Sequence, residues 1–458
     1  MRRQRLRPQQ APRRARVDGL DQEGRGVARG DDGKVVFIEG ALPGEVVLYA
    51  QRRRRKRFDE GVVVEVLQSG PGRVAPPCPH FSHCGGCSLQ HMSHSLQLES
   101  KQANLLDALR TVAGVRPRRV SVPLAGEPWG YRRRARLGVK YVAGKGGVLV
   151  GFRERHAPGK IAEIDACAVL DPLIGSRIAA LRTLLGGLAA RARIPQIEVA
   201  VGDWRAALAV RHLDPLAEGD RAALVDFERE QGIALHLQPG GPQTLAPLSP
   251  GTPETLSYRL PAHDLEFRFR ITDFIQINGA VNRLLVDRAL GLLDPQPDDR
   301  VLDLYCGIGN FTLPLAARGC RITGLEGSPD LVARARANAA RNNLSNVGFD
   351  AVVLDAPGAA GGWLASGWDK LLLDPPRTGA AALVAALRDP YPARIVYVSC
   401  NPGTLARDAG TLVGKHGYTL VEAGIVDMFP HTRHVESVAL FERELRQSHG
   451  CANAVADC

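Results

Sequence analysis

The sequence predicts a multi-domain α/β protein: a small N-terminal β-barrel, a central α+β section and a C-terminal open α/β sheet. Three observations carry this. At 458 residues the chain is too long for one core, and its length suits about three domains. Between Val17 and Ser69 short apolar runs alternate with turn residues, the pattern of a barrel. After Asp273 strand, Gly-rich turn and helix alternate, as in a parallel sheet with helices on its faces.

Residues 1–16 read as a basic, disordered arm without the apolar stretch of a secretory signal. No run of about 18 apolar residues occurs, so no membrane span is expected and the protein is placed in the cytoplasm. Net charge is +11, and residues 1–60 carry 16 Lys/Arg against 9 Asp/Glu, so +7 of it lies there. Such asymmetry points to a polyanionic partner. In the barrel, residues 17–70, the turns Asp31-Asp32-Gly33 and Leu42-Pro43-Gly44 precede the strands Val35–Ile38 and Val46–Tyr49. The six cations Arg52–Arg57 fall in a connection, where they would rim an OB-like barrel and meet phosphates.

The central section, residues 71–270, opens on Cys78, Cys84 and Cys87, with Pro77 and Pro79 stiffening the loop and Gly85-Gly86 letting it close. Three thiols are one short of a closed metal site, and Cys167 is nominated as the fourth. Spacing alone fits zinc or [4Fe–4S]. His80 and His83 read as solvent-facing. Residues 93–113 form an amphipathic helix and residues 172–192 another. Alternation from Tyr131 sets Arg132, Arg134 and Arg136 on one strand face, which should meet phosphate or solvent.

In the section 271–443, Phe274–Asn278 precedes a helix at about 279–293. Val301–Phe311 is an apolar strand, a Gly-rich turn and a helix start, and the next strand ends in Glu326, where an acid can grip ribose hydroxyls. Asp374-Pro375-Pro376-Arg377 follows the strand 370–373, and Asp355 ends a strand-like Val352–Leu354. Together these favour S-adenosylmethionine over a dinucleotide. Ala393–Val398 is an apolar, β-branched strand stopped by Asn401-Pro402, so Cys400 sits at its C-terminal edge, where open α/β sheets bind ligands. Cys400 reads as a nucleophile and Glu436, after Pro430-His431-Thr432-Arg433-His434, as its partner base. Residues 444–458, with Cys451 and Cys458, read as a tail.

These motifs, Phe274–Asn278, Asp303–Phe311, Asp374–Arg377, Ser399–Pro402 and Pro430–Glu436, resemble those of the RNA uridine carbon-5 methyltransferases. The barrel resembles a TRAM domain. Barrel plus cysteine trio look like the branch acting on 23S ribosomal RNA, at the uridine of conventional position 1939, rather than the transfer-RNA branch, which by this reading lacks both. The resemblance implies a Rossmann-like catalytic domain with helix 93–113 docked on it, and a [4Fe–4S] cluster on Cys78, Cys84, Cys87 and Cys167. It further implies S-adenosylmethionine held by Gln276, Tyr305, Asn310, Glu326 and Asp374. Another cofactor position falls on Val353 by ungapped counting and on Asp355 after a two-residue shift. A monomer is expected.

The chemistry explains the residue types. Carbon 5 of uracil is a poor nucleophile; a thiolate added at carbon 6 makes it an enolate carbon, and a base must then remove its proton. His431 and His434 would orient or cap. Two rival readings fit less well. An amino-group methyltransferase would carry an aromatic where Arg377 stands, and an RNA-binding metalloprotein would leave the strand-end motifs without purpose.

Overall fold

The computed structural model describes residues 11–145, 147–354 and 362–443. Strands β1 (Arg13–Leu20), β2 (Gly26–Arg29), β3 (Val35–Glu39), β4 (Val46–Arg54) and β5 (Phe58–Gln68) form a closed barrel in the order β1-β2-β3-β5-β4. Every second residue points inward, so Ala15, Val17, Val36, Ile38, Val47 and Tyr49 fill it. Gly61 is required here: a Cβ would meet the Tyr49 ring at 2.6 Å.

Two expectations for this region need correction. The arm does not run to residue 16, because Arg13–Arg16 pair with Tyr49–Val46 and close the barrel; residues 1–10 lie outside the described residues. Nor is Arg52–Arg57 one loop. Arg53 and Arg54 continue β4 opposite Glu60 and Asp59, the Arg53 guanidinium lying 3.8 Å from the Glu60 carboxylate, and only Arg55–Arg57 connect to β5.

The chain then forms helix α1 (His94–Ala113), started by the Ser93 side chain and ended at Gly114 in the left-handed region, and the short strand β6 (Arg119–Val120). A mixed sheet follows in the order β12-β11-β10-β9-β7-β8, from β7 (Arg134–Val142), β8 (Gly147–Gly151), β9 (Gln196–Val201), β10 (Ala206–Arg211), β11 (Ala234–Gln238) and β12 (Ala246–Pro247). Helices α2 (Pro172–Gly175), α3 (Ile178–Gly187) and α4 (Glu218–Gln231) accompany it. The single helix expected over 172–192 is thus broken. At Gly175 the backbone comes so close to the Cys167 carbonyl that a Cβ would lie 2.5 Å from it.

Of the arginine face, Arg136 is exposed to solvent, as expected, and pairs with Glu198 at 2.8 Å. Arg132 and Arg134 are half-buried: Arg134 donates to the Asp273 carbonyl and Arg132 lies over the Phe152 ring. On the opposite face Arg133 pairs with Asp203 at 2.8 Å. The half-buried guanidiniums find protein partners, which the alternation rule does not anticipate.

The hairpin β13 (Leu256–Leu260) and β14 (Leu265–Phe269) precedes the last sheet. Its Tyr258, Phe267 and Phe269 pack into the same core as the catalytic half, so by packing that half begins before residue 271. There α5 (Gly279–Leu293), β15 (Arg300–Leu304), α6 (Thr312–Ala317), β16 (Arg321–Glu326), α7 (Pro329–Arg341), β17 (Val347–Ala351), β18 (Lys370–Leu373), α8 (Ala381–Ala385), β19 (Arg394–Ser399), α9 (Pro402–Gly414), β20 (Thr419–Val426) and β21 (Glu436–Glu442) build an eight-stranded sheet. Its order is β17-β16-β15-β18-β19-β21-β20-β6, with β21 alone antiparallel to the rest. The strand-like Val352–Leu354 lies beyond β17, whose pairing with β16 ends at Ala351.

Along β19 the side chains alternate between two cores. Val396 and Val398 face the one covered by α5, α6 and α7, while Ile395 and Tyr397 face the one covered by α8, α9 and the much earlier α1. Leu105, Ala108 and Leu109 of α1 are fully buried there. Among the described residues no helix is long and apolar enough to cross a membrane.

On α1, Lys101 is buried and pairs with buried Asp427, just past β20, at 2.6 Å. Removing one partner of a buried pair leaves an uncompensated charge, so Lys101→Met is expected to lower unfolding free energy by about 3–5 kcal/mol in denaturant titrations. Pairing it with Asp427→Leu should recover part of that loss.

Candidate active site

Strand β19 ends at Ser399. Asn401 then caps α9, its Oδ1 accepting from the Gly403 amide at 3.0 Å with Pro402 at the first helical position, so Cys400 is held between a strand end and a helix start. In the β19–β21 ladder Val398 faces Val438 and Ser399 faces Ser437, the last rung, so Cys400 follows one of its residues and Glu436 precedes the other, close enough for the Glu436 charge to act on the thiol. Glu436 is buried and also pairs with Val426 in β20.

Burial raises the Glu436 carboxyl well above the usual range, and the nearby Asp374 carboxylate adds to it. The Cys400 thiol is pushed up to about 11, by burial first and then by the charges of Glu436 and Asp374. Asp374, at the end of β18, is itself raised to about 7 by burial, and Gln276 Nε2 donates to its Oδ2 at 3.3 Å. Four predicted residues, Cys400, Glu436, Asp374 and Gln276, therefore meet at one sheet edge. A carboxyl raised in this way is a stronger proton acceptor than a free one, and a thiol beside it is a nucleophile that must shed its proton on use.

The Gly-rich turn after β15 is left-handed at Tyr305 (φ 64°), Gly307 (φ 56°) and Gly309 (φ 94°). Glu326 holds it from the neighbouring strand end: its Oε2 accepts from the Gly307 amide at 3.2 Å and its Oε1 from Ser328 at 2.9 Å. A Cβ on Gly307 would point into open space, so the turn leaves a cradle above the sheet edge that suits a nucleoside group. Asn310 is placed differently from the expectation. Its amide pairs with Asn282 in both directions at 2.9 Å, and its Oδ1 accepts from the Tyr258 hydroxyl at 2.9 Å. Asp355 lies outside the described residues, and Val353 is exposed.

Sequence reasoning missed Tyr258 and Asn282. The signal available for Asn282 was its place one turn after the cap Asn278, on the apolar face of α5. Asp303 was read only as motif; it is fully buried, raised to about 7, and accepts from Thr312 Oγ1 at 2.6 Å, which ties strand to turn. His431 is buried, stacked on Trp129 at 3.9 Å, and lowered to about 4 by burial; it is neutral at neutral pH and so carries no charge to activate the thiol. The His434 ring lies 5.4 Å from Phe429 and is likewise lowered by burial.

The four cysteines Cys78, Cys84, Cys87 and Cys167 line one cavity with Phe81, Phe152, Ile164 and Val169. The loop closes as tightly as Gly85-Gly86 permits: a Cβ on Gly85 would meet the Arg153 carbonyl at 2.8 Å. Cys167 reaches the cavity because its amide donates to Gly175 O at 2.9 Å. Burial and the neighbouring thiols raise Cys84 and Cys167, and push Cys87 to about 12. Only a bound cation would make such thiols ionise at neutral pH. Yet among the described residues no three or more His, Cys, Asp or Glu groups converge closely enough to hold a single ion. His83 is exposed, while His80 lines the cavity rim.

A profile of the tRNA (Uracil-5-)-methyltransferase family matches residues 253–355 and 366–444, and a TRAM domain profile matches residues 12–48. The 23S rRNA (uracil(1939)-C(5))-methyltransferase RlmD of Alkalilimnicola ehrlichii is 50% identical over 444 residues, 97% of this chain and 99% of the relative. That of Stenotrophomonas maltophilia is 49% identical over 445 residues, 97% of this chain and 100% of the relative. The crystal structure of Pyrococcus abyssi tRNA (uracil-54, C5)-methyltransferase in complex with S-adenosyl-L-homocysteine is similar at a TM-score of 0.71 and 25% identity, covering 93% of this chain and all of that one. Coverage of that extent leaves no room to omit the whole barrel, so the barrel does not separate transfer-RNA from ribosomal-RNA enzymes as the sequence reading supposed. The degree of sequence identity does separate them, and by it this chain belongs to the RNA uracil-5-methyltransferase family, beside the 23S rRNA (uracil(1939)-C(5))-methyltransferases.

Proposed function

We propose that the protein methylates carbon 5 of a uridine in 23S ribosomal RNA, at the conventional position 1939, through a covalent bond to Cys400. The observation that carries this is the gathering of Cys400, Glu436 and Asp374 at one sheet edge, beside the last rung of β19 and β21, close enough for the carboxylate charges to act on the thiol. S-adenosylmethionine supplies an electrophilic methyl group on its sulfonium. Gly307, Glu326, Gln276 and Asp374 are the residues we assign to holding it, with Tyr305 beside the same turn; Asn310 would shape the turn through Asn282 and Tyr258.

The uridine must leave its stack to enter the site. Cys400 Sγ, its proton released to solvent, bonds to carbon 6, the ring electrons move toward the carbonyl oxygen, and carbon 5 becomes nucleophilic enough to take the methyl group, leaving S-adenosylhomocysteine. Glu436 then accepts the carbon-5 proton; the freed electron pair re-forms the ring double bond and expels the Cys400 thiolate. The barrel and its Arg53–Arg57 rim supply phosphate contacts. Since the target is ribosomal RNA, we assign the protein to the cytoplasm. Each copy carries every residue the reaction needs, so a monomer suffices.

We assign a [4Fe–4S] cluster to Cys78, Cys84, Cys87 and Cys167. The donor set supports it: four thiols around one cavity, spaced too widely for a lone ion, suit a group that brings its own sulfides. Its role is to fix the cysteine loop.

Three outcomes are expected. Cys400→Ala should reduce methyl transfer more than about a thousandfold while RNA binding persists, and wild-type protein should form an adduct at Cys400 with 5-fluorouridine RNA. Alkylation of Cys400, followed by mass spectrometry of its peptide, should accelerate with rising pH toward a midpoint near 11. Glu436→Gln should move that midpoint down, because a negative charge no longer opposes the thiolate. Anaerobically purified protein should contain iron and sulfide and absorb broadly in the visible, and Cys87→Ala should lose that absorbance; colourless zinc-bearing protein would overturn the cluster.

A further inference from the structure

We propose that Gln97 is a positioning residue for Glu436, clasping the cysteine loop to the loop that presents the base. The inference rests on the reading of Glu436 as the base that removes the carbon-5 proton. Gln97 projects from α1 and is fully buried, which for an amide demands partners. It finds them in two segments remote from each other in sequence. Its Nε2 donates to the Met92 carbonyl at 2.8 Å and lies 3.2 Å from Leu89 O; on the other side the same nitrogen is 3.2 Å from His431 Nδ1, and its Oε1 accepts from the His431 amide at 2.8 Å.

The two segments also bond directly. His431 O accepts from the amides of Ser88 and Leu89, the residues that follow Cys87, at 2.8 and 2.9 Å. The His431 backbone is left-handed (φ 62°), and its ring is stacked on Trp129. One turn along α1, Lys101 fixes the start of the same loop through Asp427 at 2.6 Å and the Phe429 carbonyl at 2.9 Å. The segment 427–435 is thereby anchored at three points before it delivers Glu436 to β21. Cys400 lies on a different element, at the end of β19, and depends on none of these anchors. Loosening the clasp should thus displace the base and leave the nucleophile in place.

That asymmetry gives the test. With ordinary uridine RNA, Gln97→Leu should slow turnover about tenfold or more and accumulate a methylated covalent adduct at Cys400, as Glu436→Gln should also do, because release needs proton removal. With 5-fluorouridine RNA, from which no proton can be taken, Gln97→Leu should form its adduct at the wild-type rate. His431→Phe, which keeps the stack on Trp129 but loses the Nδ1 contact, should accumulate the same adduct to a lesser degree, and it carries the test if Gln97→Leu does not fold. Hydrogen exchange across 427–436 should also quicken when wild-type protein is stripped by an iron chelator. Slow adduct formation on the fluorinated RNA with no accumulation on ordinary RNA, or exchange unchanged by stripping, would overturn the clasp. Absence of any wild-type adduct on the fluorinated RNA would instead overturn the reading of Cys400, and is told apart by using no variant.

Discussion

The structure depends on one antiparallel rung in a sheet that is otherwise parallel. Parallel strands bring residues to a common edge from the ends of successive strands, as they do for Glu326 and Asp374. They cannot set a strand end against a strand beginning. Strand β21 runs the other way, so its beginning stands beside the end of β19: Ser437 pairs with Ser399, and Glu436 and Cys400 flank that rung. The ladder brings the two groups to one edge, and the anchored loop 427–435 delivers Glu436 to it.

Crowding then sets the chemistry. Cys400, Glu436 and Asp374 share a partly dry edge, and each is pushed toward its neutral form by burial. This arrangement stores basicity: a carboxyl that resists ionisation holds a proton well once it takes one. The same logic governs the second cluster, where burial and mutual proximity keep Cys84, Cys87 and Cys167 protonated unless a cation compensates them.

The two clusters belong to one mechanical unit, and α1 is the reason. Although it precedes the central sheet in sequence, its apolar face completes the core under β19–β21, while Gln97 and Lys101 on its other turns grip the loop before Glu436. Strand β6, directly after it, adds the edge of the catalytic sheet beside β20, where Arg119 pairs with Glu422. The N-terminal third is therefore not an appended binding module, since part of it is wall and support of the active site.

Much of the fold and site was legible because it depends on local pattern. Short apolar runs between turns mark Val35–Ile38 and Val46–Tyr49 as barrel strands, residues 93–113 carry helical periodicity, and a thiol or an acid at the end of an apolar run lies at a sheet edge whichever way the sheet is assembled. Cys400, Glu436, Glu326, Asp374 and the four cysteines could thus be named from the chain alone. What alternation could not tell was who would meet whom. The guanidiniums of Arg133, Arg134 and Arg136 found Asp203, the Asp273 carbonyl and Glu198, and Asn310 found Asn282 and Tyr258, all through contacts between residues far apart in sequence. Sequence by itself determined the reactive groups and the elements bearing them, because those follow from periodicity and turn chemistry within a few residues. Only the tertiary structure decided the meeting of Cys400 and Glu436, the clasp of Gln97 on His431 and the gathering of Cys167 with its partners, because desolvation and long-range register act only once the chain has closed on itself.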